Sequence, residues 1–277
     1  MRKVRIGTAS MLHPTFADGE VRHPSAEPLH RAAQAHIEEA ARLGCDCLCL
    51  PELFASLNRS QGMADTAEPS DGPTGAFLSA AARQHSIMLV TTVLWRQEGK
   101  LFNTGVAYDK RGKLAGTYRK VHLPSGEELI CAPGEGFPVF EAEGLRFGMQ
   151  ICYDLNFPEG CRCLALDGAD VVFWPQMWGA MPENYTDVIL RARAMENLMW
   201  IVSSGYFLGG DTSFRVPKMN GRSSIVGWDG TILAEVGPRL GVAAATLDLD
   251  EPHFSQASRQ EMLHTHRMPR CYGRLTR

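Results

Sequence analysis

Three residues far apart in the chain could together perform acyl transfer. Glu52 follows Leu50-Pro51, Lys120 lies in YRKVHLP, and Cys152 stands in GMQICYDLNFPEG. Each falls at the end of a stretch that reads as strand or hairpin, and strand ends in α/β folds are where clefts form. A thiol attacks a carbonyl carbon well when a base takes its proton or a cation favours its thiolate. A carboxylate and an ammonium supply both, and that chemistry runs through a thioester. Taken singly, each residue has a bland reading: a solvated loop glutamate, a surface lysine near Arg119 and His122, a packed strand thiol. Only convergence makes a site.

Other groups read as scaffold. Asp154 is expected to support the backbone beside Cys152 rather than act as an acid. Arg191, Arg193 and Glu196 lie at helical spacing and are expected to form structural or interface ion pairs. His264-x-His266 lacks a third ligand, so no metal is expected there. Cys45, Cys47 and Cys49 alternate along one predicted strand and so share a face. Neither they nor Cys161/Cys163 show the C-x-x-C spacing usual for zinc. A chain of 277 residues has no need of a disulfide framework, and most of its eight cysteines are expected to be reduced.

The elements that must position the triad alternate strand and helix. Strands are predicted at 4–9, 45–50, 87–95, 145–152, 169–175, 200–205 and 241–249. A helix capped by Ser25 closes at Gly44, and a second is capped by Thr74. A third starts at Pro158, and a long fourth spans 184–200 with Tyr185, Val188, Ile189, Ala192, Met195 and Met199 on one side. Asp109–Gly112 and Asp229-Gly230 read as hairpin turns. GCDCLCLPEL and GADVVFWPQM share an order of helix end, strand, proline and polar residue. This suggests two α/β halves of one domain, two mixed sheets packed face to face with helices outside: a four-layer α-β-β-α sandwich. The single domain spans 1–277, with a core at about 4–250 and a polar tail from 251 to 277. Loops 11–24 and 54–73 are expected to border a cleft.

LPELF with Glu52, YRKVHL with Lys120 and QICYDLNFPE with Cys152 resemble, in order and spacing, the three signature segments of the nitrilase superfamily of carbon–nitrogen hydrolases. GADVVFWP, RARAMENLMWIVSSG and GRSSIVGWDGTILAE extend the similarity over roughly residues 4–250. The resemblance implies the α-β-β-α sandwich and a Glu-Lys-Cys triad with no metal or organic cofactor. It implies Cys152 as nucleophile, Glu52 as general base and later acid, and Lys120 with the backbone N–H of Tyr153 as oxyanion stabilisers. Glu127, seven residues after Lys120 and next to Glu128, would hold Lys120 and orient substrate. Gln176, Met177 and Trp178 would line the acyl pocket, although Trp178 reads equally as a core or interface aromatic. Asn156 stands where many relatives carry arginine.

Tyr153-Asp154 after the cysteine looks like the amidase and carbamoylase branches rather than the nitrilases. The expected reaction is therefore hydrolysis of a small aliphatic amide, then of an N-carbamoyl compound, then of a nitrile. Rivals from other classes are a catalytically silent binding protein of this shape and a papain-like hydrolase pairing Cys152 with His122. The remaining totals exclude more than they assign. Hydrophobic residues at 44%, charged residues at 21% and a net charge of −3 fit a soluble globular protein and argue against nucleic-acid or anionic-membrane partners. A strand entered at once by MRKVRIGTAS lacks a signal peptide's apolar core, which makes the cytosol the expected location. Relatives pair through helices, so a homo-oligomer built on segments 157–167 and 184–200 is expected.

Overall fold

The computed structural model describes residues 2–13, 23–57, 59–60, 62–177, 186–207, 222–251 and 256–276. Its central strand is β1 (Lys3–Leu12), whose apolar run is buried almost throughout. Along one edge β1 pairs antiparallel with β12 (Gly241–Asp248). Its other edge pairs in parallel, first with β2 (Cys47–Cys49) through Ile6–Thr8 and then with β9 (Trp200–Phe207) through Ser10–Leu12. That second pairing joins what the sequence suggested were two separate sheets. The hydrogen-bonded path runs β5 (Leu114–Arg119), β4 (Lys100–Tyr108), β3 (Met88–Gln97), β2, β1, β9, β8 (Val171–Pro175), β7 (Leu145–Met149), β6 (Phe140–Ala142). A short hairpin, β10 (Ser224–Val226) and β11 (Ile232–Glu235), adds to β9. The result is an α/β fold with one mixed sheet that nearly closes, β5 and β6 at its path ends lying against each other.

Side-chain alternation then sorts the core. Cys47, Cys49 and Val90 from one arm pack with Phe147, Phe173 and Val202 from the other. Leu48 and Leu89 point the opposite way, onto Leu29, Ala33 and Ile37 of α1 (Glu27–Arg42) and Leu78 and Ala82 of α2 (Pro73–His85). Val172 and Ile201 meet Leu164 of α3 (Pro158–Leu166) and Ala194 of α4 (Arg191–Asn197). Gly148 in β7 lets α3 approach, because a Cβ there would overlap the Leu164 methyls. All eight cysteines are free. Cys45 precedes the strand and packs with the α1 side, so it does not share the face of Cys47 and Cys49.

Several local expectations are corrected. α1 begins after Ala26 rather than at a Ser25 cap, with Pro28 in its first turn. α2 begins after Gly72; Thr74 sits inside it, and the Glu68 carboxylate accepts from both the Thr74 N–H (2.8 Å) and its hydroxyl (2.6 Å). An external carboxylate thus does the capping. The long fourth helix is a π-helical turn, Thr186–Leu190, running into α4 and ended by Leu198 at φ +49°. Trp178 and Tyr185 lie outside the described residues. Strand β6 had no sequence signal. The tail is not merely polar: it carries helical turns, Leu263 is buried against the α3–α4 cluster, and Arg259 pairs with Asp170 at 2.9 Å.

Candidate active site

The chain leaves β7 at Met149, and Cys152 opens a 3₁₀ turn (Cys152–Asn156) at φ +44°. A non-glycine residue holds that left-handed conformation only where its surroundings impose it. Here Asp154 imposes it. Its wholly buried carboxylate accepts from the N–H of Ile151 (2.8 Å), the Tyr118 hydroxyl (2.7 Å), and the N–H and Nδ1 of His122 (both 2.9 Å). The Trp174 indole N–H donates to the Cys152 carbonyl at 2.9 Å. These bonds fix the turn from both sides of the cysteine. Asp154 is therefore the scaffold the sequence suggested, and it engages His122, whose ring also stacks on Phe157 at 3.8 Å.

Glu52 begins a tight turn after Pro51. Its backbone is held by Thr91 Oγ1 donating to the Pro51 carbonyl (2.8 Å), Leu53 N–H donating to Thr92 Oγ1 (2.8 Å), and Tyr206 Oη donating to the Glu52 carbonyl (2.7 Å). Lys120 follows β5 directly; its N–H donates to the Asn103 carbonyl at 2.9 Å. Glu52 and Lys120 side chains are each only 1% exposed, and Lys120 Nζ donates to Glu52 Oε1 at 3.0 Å and to Glu127 Oε2 at 2.6 Å. Asn103 Nδ2 bridges the same carboxylates, donating to Glu52 Oε1 at 2.7 Å and Glu127 Oε1 at 2.8 Å. Glu128 is exposed, so geometry selects Glu127 from the adjacent pair.

Electrostatics tie the thiol to this cluster. Burial, then the Glu52 charge, push the Cys152 thiol well above its ordinary pKa, while Lys120 and the Met177 N–H pull it back. Burial by itself would favour neutral Lys120, but Glu52, Cys152 and Glu127 outweigh it and keep the ammonium protonated. Burial and the Glu52 charge raise the pKa of Glu127 against the pull of Lys120 and Asn103. In such a cluster the ammonium can hold an oxyanion and a carboxylate can take the proton of the neighbouring thiol.

The substrate-side expectations divide. Tyr153 is half-buried with its ring edge-on to Phe157 at 5.4 Å. The N–H of Gln176 donates to the Ser204 carbonyl at 2.8 Å, its amide packs over Gly205, and the next residue, Met177, presents its N–H to the Cys152 sulfur. Asn156 donates to the Tyr153 carbonyl at 3.1 Å. Arg193 pairs with Glu196 at 3.0 Å and donates to the Leu155 carbonyl at 3.2 Å, whereas Arg191 donates to the Gly230 carbonyl at 2.6 Å. No group of three or more His, Cys, Asp or Glu among the described residues could hold a metal ion. No helix among them is long and apolar enough to cross a membrane. Sequence reading missed Asn103 altogether; its one signal is an amide within the largely buried strand KLFNTGVAY.

The α/β fold of this topology thus holds a buried Glu-Lys-Glu cluster beside a cysteine in a left-handed turn. The chain belongs to the carbon–nitrogen hydrolase family, whose model matches residues 10–252. It is 30% identical to the deaminated glutathione amidase of Rattus norvegicus over 91% of this chain and 81% of that protein. It is 32% identical to a nitrilase of Pyrococcus abyssi over 70% of this chain and 71% of that protein. Its fold matches a carbon–nitrogen hydrolase from Helicobacter pylori with a TM-score of 0.84 at 22% identity, covering 100% and 99% of the two chains.

Proposed function

We propose that this chain hydrolyses a small aliphatic amide to a carboxylic acid and ammonia through a thioester on Cys152. The observation that carries the reading is the buried cluster in which Lys120 Nζ contacts both Glu52 Oε1 (3.0 Å) and Glu127 Oε2 (2.6 Å) beside the thiol. Because the thiol is neutral at rest, its proton must leave as the sulfur attacks, and Glu52 takes it. The C–S bond forms and the carbonyl π pair moves to oxygen. Lys120 stabilises that oxyanion, together with the Tyr153 N–H, which lies in the first turn of its 3₁₀ segment where backbone donors lack intrahelical partners. On collapse the C–N bond breaks, and Glu52 returns the proton to the departing nitrogen. Water then attacks the thioester as Glu52 accepts its proton; on collapse the C–S bond breaks and Glu52 returns that proton to the sulfur, releasing the acid and regenerating the Cys152 thiol. Glu127 holds Lys120, and Gln176 borders the acyl pocket.

The same reading folds the single sheet over into two facing arms, supported by the shared cluster of β2, β3, β7, β8 and β9, to give α-β-β-α layers in one domain. It requires no cofactor and no nucleic-acid or membrane partner, and it places the protein in the cytosol. It pairs copies through residues 157–167 and 184–200, where Val188 and Met195 are 60% and 53% exposed. The test is ammonia release from a panel of amides, ureido acids and nitriles, run beside Cys152→Ala. Release from amides and its loss in the variant support the reading. Turnover of only ureido acids or nitriles reassigns the substrate, and turnover by Cys152→Ala removes the mechanism.

A further inference from the structure

We infer that Asn103 is a positioning residue that decides which oxygen of Glu52 serves as the proton acceptor. This rests on the proposed amide hydrolysis. The two N–H bonds of one amide nitrogen are spent on two different carboxylates, Glu52 Oε1 at 2.7 Å and Glu127 Oε1 at 2.8 Å. Lys120 Nζ adds a second bond to Glu52 Oε1 at 3.0 Å. Glu52 Oε1 is thereby doubly bonded, while Glu52 Oε2, also buried, takes no N–H or O–H donor, and the Cys152 thiol is the side chain that reaches the same carboxylate. The carboxylate is held so that its unengaged oxygen is the one available for the sulfur's proton.

Asn103 keeps this arrangement at a cost to itself. Its side chain is buried and its Oδ1 has no hydrogen-bond partner, a state that costs stability. Flipping the amide would aim Oδ1 at two carboxylates, so the donor orientation is fixed by charge. A residue kept only for packing in β4 would not need an amide here; leucine would fill similar space and leave no orphan oxygen. The main-chain bond from Lys120 N–H to the Asn103 carbonyl (2.9 Å) places clamp and cation in register.

The test compares Asn103→Leu and Asn103→Ala with the parent protein. Its readouts are the pH dependence of kcat/KM on the best amide and the pH dependence of Cys152 alkylation by iodoacetamide. An N–H that donates to a carboxylate oxygen favours the charged form, and losing it favours the protonated one. The acid limb of both profiles should therefore move up by about one pH unit, a tenfold effect at fixed acidic pH. On the plateau kcat should fall about 100-fold, as expected for a misplaced base, with KM changed far less. Asn103→Gln should recover part of the limb's position. If Asn103→Leu does not fold, the smaller Asn103→Ala, which admits water, carries the same readouts. An unmoved acid limb in a folded variant overturns the inference, as does kcat within about threefold of the parent. The alkylation arm needs no substrate: a shifted alkylation limb without any amide turnover would sink the amide reading and leave the clamp standing.

Discussion

Asp154→Asn perturbs the turn that carries Cys152 through a side chain of nearly the same size and shape. The carboxylate accepts four hydrogen bonds, two at Oδ2 from Tyr118 and Ile151 and two at Oδ1 from His122. An amide keeps one oxygen, so its NH₂ must oppose a backbone N–H whichever way it turns: Ile151 in one orientation, His122 in the other. That leaves a buried donor facing a donor and removes the charge that strengthened the remaining bonds. Each such bond to a charged group is worth about 1.5–3 kcal/mol. Because the four share one acceptor their losses overlap, and the net cost is about 3–5 kcal/mol, the range for breaking a buried charged contact. At about 2–4 °C per kcal/mol for a chain of this order of length, the melting temperature should fall by about 10 °C. Relaxing the φ +44° turn should also slow iodoacetamide labelling of Cys152, by about tenfold or more. Differential scanning fluorimetry and peptide mass spectrometry read the two effects. A variant that melts within about 2 °C of the parent and labels Cys152 at the parental rate would refute the scaffold role of Asp154.

Three further outcomes follow from other parts of the molecule. Burial holds the His13 imidazole down to about 4 from 6.5, so the unfolded chain binds its proton first as pH falls. The stability this contributes is complete above about pH 6.5 and lost toward pH 4; about 2 kcal/mol is gone by pH 5. Urea unfolding at pH 7 and pH 5 should show a smaller difference for His13→Gln than for the parent, and equal differences would contradict this. Leu263→Ala should cost about 2–4 kcal/mol, because Leu263 is buried in the α3–α4 cluster; a loss under about 0.5 kcal/mol would mean that the tail lies outside the folded unit. Val188→Lys with Met195→Lys should lower the mass seen by light scattering if copies pair through that helix, and an unchanged mass would place the interface elsewhere.

The strands and helices with strong periodicity were legible from residues alone. Pro158 at the first turn of α3 and the apolar spacing of α1 marked their elements because local sequence and packing agree there. Misreadings arose where a tertiary contact decides. The cap of α2 comes from Glu68, outside the helix, and the local pattern that points to Thr74 carries no trace of it. The join between β1 and β9 spans nearly two hundred residues and leaves no local trace. In the site, Glu52, Lys120 and Cys152 were legible as an ordered set of motifs, and Glu127 only through the family resemblance those motifs carry. Asn103 was not, because an asparagine in a buried strand acquires meaning only from the two carboxylates that other elements bring to it. Cys45 shows the same limit: alternation grouped it with Cys47, but the strand starts two residues later.

The most direct measurement of the central claim is the mass of the protein after acid quench during turnover of a good amide substrate. The account predicts a population heavier by the acyl group, with the adduct mapping to the peptide that contains Cys152 and removed by hydroxylamine. Steady amide turnover with no adduct under quench conditions that preserve thioesters, or an adduct mapping to another residue, would contradict it.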